Sequence, residues 1–124
     1  MIETLVENNI NPPSALLFLD GIEHTMAHIG KKRHITGQEL SFGIRELCLS
    51  KFGGLSRVVL EHLGYQSTFD FGRMVYKLIE LELLNKTDDD SIEEFRDVYD
   101  FEQSFNMDKY VESLPIDEDP KNRP

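Results

Sequence analysis

Thr36-Gly37-Gln38-Glu39 is the feature that most constrains this chain. A threonine followed three residues later by a glutamate is a capping box, in which each side chain takes a backbone amide that the first turn of a helix leaves without a partner. Ile35 just before the cap and Leu40 just after the box are spaced to close over it as a hydrophobic staple. The box predicts a helix starting at Gly37, with Leu40, Ile44, Leu47 and Cys48 on its inner face and Gly53-Gly54 as its stop.

Similar punctuation divides the rest of the chain. Pro12 and Pro13 suit the first turn of a helix that begins near Asn11 or Ser14. Ala15, Phe18, Leu19, Ile22, Met26 and Ile29 make its stripe, and Gly30 ends it. A short helix over Leu55 to Leu63 stops at Gly64. Ser67 or Thr68 then caps a longer helix over 68–84, with Phe71, Val75, Leu78 and Ile79 inward and Arg73 and Lys77 on another face. Gly43 and Gly72 each cost a helix about 1 kcal/mol relative to alanine, which points to close packing at both positions. Asn85 to Ser91 reads as a turn, and Phe95 to Phe101 alternates like a strand. Paired with His34-Ile35 and Leu84 to Thr87, that strand would give a small antiparallel sheet. The expected fold is therefore mainly α with a small antiparallel β-sheet, a single winged-helix-like domain over residues 12–105. Residues 1–11 read as a flexible arm, and residues 106–124 as an acidic tail too poor in apolar residues to order.

A chain of 124 residues, 40% hydrophobic, can bury one core but has no room for a cofactor domain beside a substrate domain. Its single cysteine excludes an internal disulfide and suits a reducing cytoplasm. Glu3 and Glu7 stand where a signal peptide would carry positive charge, and no membrane-spanning run follows. The net charge of −10 is uneven. Residues 1–87 hold 10 of the 23 acidic and 9 of the 13 basic side chains, so the negative excess lies beyond Thr87.

Few side-chain combinations carry chemistry. His24 and His28, four apart, can present two imidazoles to one metal ion. Neither His34, His62 nor Cys48 stands at a metal-motif spacing from them, so no metal site is expected. Cys48 falls on an apolar stripe and reads as a buried, inert thiol. Arg33, His34 and Thr36 precede a helix start whose amides favour anions, a candidate phosphate or carboxylate site. The acids Asp88, Asp89, Asp90, Glu93 and Glu94 lack the ligand alternation and central glycine of a calcium loop. No nucleophile elbow, phosphate-binding glycine loop or His-Glu-x-x-His is present, so no enzyme and no cofactor are expected.

Five segments together, Arg33 to Leu40, Gly43-Ile44-Arg45, Phe52-Gly53, Thr68 to Gly72 and Asp97 to Phe101, resemble a small family of conserved bacterial proteins found in planctomycetes, verrucomicrobia and their relatives. The resemblance spans most of residues 15–105. It implies a bacterial, cytoplasmic, single-domain protein, and the family brings no assigned activity and no catalytic residues. Two kinds of partner are then expected, neither of them a membrane. The acidic hairpin and tail favour another protein with a basic surface. The alternative is nucleic acid, reached through Arg73, Lys77, Lys86 and Arg33 in winged-helix fashion, against the repulsion of Asp88 to Asp90.

Overall fold

Residues 1–30, 34–85 and 91–106 are described by the computed structural model. They form six helices: α1 (Ile2–Glu7), α2 (Pro12–Ile29), α3 (Gly37–Phe52), α4 (Ser56–His62), α5 (Thr68–Glu80) and α6 (Phe101–Ser104). Two 3-10 turns, Gly53–Leu55 and Ile92–Phe95, complete the order. No strand occurs among the described residues, so the expected sheet and the winged-helix architecture are overturned.

The start of α3 follows the capping box. Glu39 N donates to Thr36 Oγ1 at 3.1 Å, and Thr36 N donates to Glu39 Oε1 at 3.0 Å. Pro12 opens α2 and Gly30 closes it, while Gly53, at φ 52°, closes α3. α3 packs most extensively on α2. At their crossing Gly43 lies against Thr25, where an alanine Cβ would meet Thr25 Oγ1 at 1.8 Å, and Gly21 lies against Ile44. Gly72 also sits at a close approach, to Phe95 and Ile92 of the second 3-10 turn. Phe18, Ile44, Cys48, Leu60, Phe71 and Leu78 are almost wholly buried between the helices. Phe71 is the aromatic centre, its ring 5.2 Å from Tyr65, 5.8 Å from Phe101 and 6.5 Å from Phe18.

Residues 95–101 show why alternation misleads here. Phe95 and Phe101 are buried and Tyr99 half-buried, while Arg96, Asp97 and Asp100 face out. A turn produces this pattern: Asp97 adopts φ 50°, and Asp100 then caps α6 by accepting from Glu102 N at 2.7 Å. The backbone here is held by one side chain. Thr68 Oγ1 donates to Phe95 O at 2.6 Å and accepts from Val98 N at 3.2 Å. His34 and Ile35 lie in no regular element, and Lys86 and Thr87 fall outside the described residues.

Two further expectations change. Residues 2–7, assigned above to a flexible arm, form α1, whose Leu5 is fully buried. α5 ends at Glu80 instead of continuing to Leu84. The acidic tail lies outside the described residues, apart from Asn106.

Three helices share one ending. After α1, α4 and α5 a left-handed residue, Asn9, Gly64 or Glu82, is followed by an apolar residue, Ile10, Tyr65 or Leu83. The amide of that apolar residue bonds back to Leu5 O at 2.9 Å, Leu60 O at 2.8 Å or Leu78 O at 2.9 Å. These are Schellman endings, and each puts a fully buried leucine beneath the turn. Glycine and asparagine accept the left-handed backbone readily, whereas Glu82 at φ 60° brings its Cβ against the following carbonyl. Glu82→Gly is expected to raise unfolding free energy by about 0.5–1 kcal/mol in chemical denaturation. Gly43→Ala is expected to cost about 2–3 kcal/mol by overpacking, and adding Thr25→Ala should restore part of that loss in a double-mutant cycle.

Candidate functional site

Two of the four residues expected to contact nucleic acid, Arg73 and Lys77, are among the described residues. Arg73 and Lys77 are exposed on α5 as anticipated, but the Arg73 guanidinium bonds Asp70 Oδ1 at 3.1 Å. It also lies over the Phe69 ring, 5.2 Å from its centroid. Arg96 covers the same ring at 4.4 Å and is held by Glu93 at 2.6 Å. The hydrogen bond between Arg96 and Glu93 lowers the carboxyl pKa and raises that of the guanidinium. Two arginines, each paired with an acid, thus lie over the Phe69 ring. Lys86 and Arg33 lie outside the described residues.

The candidate anion site is filled from within the chain. Glu39 accepts from Thr36 N, and Glu94, carried by the second 3-10 turn, accepts from Gly37 N at 2.8 Å. Two of the chain's own carboxylates therefore sit at the start of α3, where the helix dipole favours negative charge. His34 and Thr36 instead border a pocket of about 170 Å³ whose walls are mainly apolar, with Ile22, Met26, Ile35, Val75 and Ile79 among them.

A second grouping lies where α2 and α3 run together. The rings of His24 and His28 lie 4.5 Å apart on α2, tilted by 45°, and Glu46 groups with them from α3. One donor atom from each of the three residues lies within 4.8 Å of the other two. His24 Nε2 is 3.5 Å from Glu46 Oε2, and His28 Nδ1 is 3.0 Å from His24 O. The sequence reading sought a third ligand among histidines and cysteine alone, and it missed Glu46. His34, His62 and Cys48 do not join this group. The signal available in the sequence was Gly43, whose close approach to α2 brings the following turn of α3, and with it Glu46, toward the two histidines.

Cys48 is buried, and that burial pushes its thiol up to about 12, with Lys51 pulling weakly the other way. Burial also raises Tyr65 and Tyr99, whose hydroxyls donate at 2.7 Å to Ser14 O and Ser41 O. The folded chain keeps these protons where an unfolded chain releases them. Their contribution to stability is full below the ordinary thiol value of 9.0 and is lost as the pH rises toward about 12. The melting temperature is expected to fall across that alkaline range. At about pH 8 a thiol reagent should modify Cys48 only after denaturant is added.

No family model, no curated protein and no solved structure matches this chain.

Proposed function

We propose that this chain is a non-enzymatic, cytoplasmic interaction module whose partner presents apolar side chains among positive charges. The observation that carries this reading is the outer face of α1. Leu5 fixes the helix to the core, yet Met1, Ile2 and Val6 are each more than half exposed. Ile2 and Val6 are four residues apart and share a face; Glu3 and Glu7, also four apart, run beside them. Apolar anchors flanked by carboxylates are complementary to a basic, amphipathic surface. Leu55 and Val58, 65% and 63% exposed, add a second apolar pair near α4. No helix among the described residues is long and apolar enough to cross a membrane. The single cysteine supports a reducing compartment.

What favours a protein partner over nucleic acid is the pairing of three of the arginines. Arg57 bonds Glu61 at 2.9 Å, Arg73 bonds Asp70 and Arg96 bonds Glu93, so phosphate contacts through them would first have to break these pairs. Salt titration of the full chain against duplex DNA and RNA is expected to show no binding tighter than about 1 μM at physiological salt. Tighter binding that Arg73→Ala with Lys77→Ala abolishes would replace this reading with the nucleic-acid one. Cross-linked partners should be lost from the Ile2→Ser, Val6→Ser double variant while its melting temperature stays near that of the parent.

A further inference from the structure

We propose that His24, His28 and Glu46 form a site for one divalent transition-metal ion of the zinc type, bridging α2 and α3. This goes beyond the interaction reading and does not depend on it. Histidines four apart on a helix point their rings to one side, and the crossing of Gly43 over Thr25 sets Glu46 opposite them.

The distances fit an ion better than a direct hydrogen bond. Two donors bound at 2.0–2.1 Å in tetrahedral geometry stand roughly 3.4 Å apart. His24 Nε2 and Glu46 Oε2 are separated by 3.5 Å, which is longer than an ordinary N–H···O bond. His24 Nε2 is also a buried polar atom that makes no hydrogen bond, a costly state that a metal–nitrogen bond would relieve.

The second histidine is oriented by its own backbone. A carbonyl oxygen can only accept, so His28 Nδ1, 3.0 Å from His24 O, carries the proton, and the lone pair of Nε2 is left for the ion. His28 is exposed, so an ion can reach the site from solvent. Two imidazoles and one carboxylate suit zinc, with water completing the tetrahedron. They offer too few oxygens for calcium or magnesium.

The test uses the untagged full chain, titrated with zinc chloride by calorimetry and with cobalt(II) by visible absorption. One ion per chain is expected, with a melting temperature that rises as zinc is added, because the ion binds the folded form. Glu46→Gln and His28→Ala should each weaken binding at least about tenfold while leaving the metal-free melting temperature near the parent value. His62→Ala, outside the group, should bind as the parent does. Absence of saturable binding, or binding that survives both Glu46→Gln and His28→Ala, overturns the proposal and leaves only a contact between His24 and Glu46.

Discussion

The approach of α2 and α3 at their crossing governs this structure. Each helix supplies a glycine that receives a side chain of the other: Gly43 lies under Thr25, and Gly21 lies under Ile44. The exchange is possible only because no Cβ stands between the two backbones. Thr25 brings a hydroxyl into this dry contact, and the group stays satisfied by donating to Gly21 O at 2.8 Å. A polar atom and a missing side chain thus solve one packing problem together. The helix backbones come close enough for side chains beyond the contact, His24 and Glu46, to meet.

A second layer is built on the same device. The turn Ile92–Phe95 rests on Gly37 at the start of α3 and on Gly72 within α5, so Phe95 enters the core between two helices. Glu94 ties the turn to Gly37 N, Thr68 ties its far end to α5, and Tyr99 reaches Ser41 O. Phe101 and Phe105 then close the aromatic cluster around Phe71 and Tyr99. The C-terminal segment is held by these side-chain bonds and buried rings, with no ladder of backbone bonds.

What the sequence makes legible follows from the range of each interaction. The starts of α2 and α3 can be read because Pro12, Thr36 and Glu39 act within one turn, and the stops at Gly30, Gly53 and Gly64 are equally local. The stop of α5 is hidden because Glu82 fills a position that glycine usually marks. Alternation over 95–101 picks out Phe95, Tyr99 and Phe101 as the inward residues but places Asp97 with them, and it assigns the wrong backbone. The left-handed Asp97 faces outward where a strand would turn it inward, and the deciding partner, Thr68, lies in a distant part of the chain. Glu46 is hidden for a similar reason, since a ligand carried across a helix crossing has no fixed spacing from His24 and His28. The close-packed glycine at 43 was visible, and its neighbour Thr25 was not.

The acidity of the chain has a structural use that its sum conceals. A fold made of short helices has many N-termini for its length, and each exposes unpaired amides and about half a positive charge. Acids occupy the starts of α3, α5 and α6. Glu39 and Glu94 serve α3, Asp70 accepts from Gln66 N and Ser67 N ahead of α5, and Asp100 accepts from the first amides of α6. Their charge is largely answered by local dipoles, so it adds little to the field felt by an approaching partner. Exposed Glu7, at the far end of α1, lies away from these caps and shapes that field instead. The formal charge is therefore a poor guide to where a basic surface would be drawn, and the position of the helix ends is a better one.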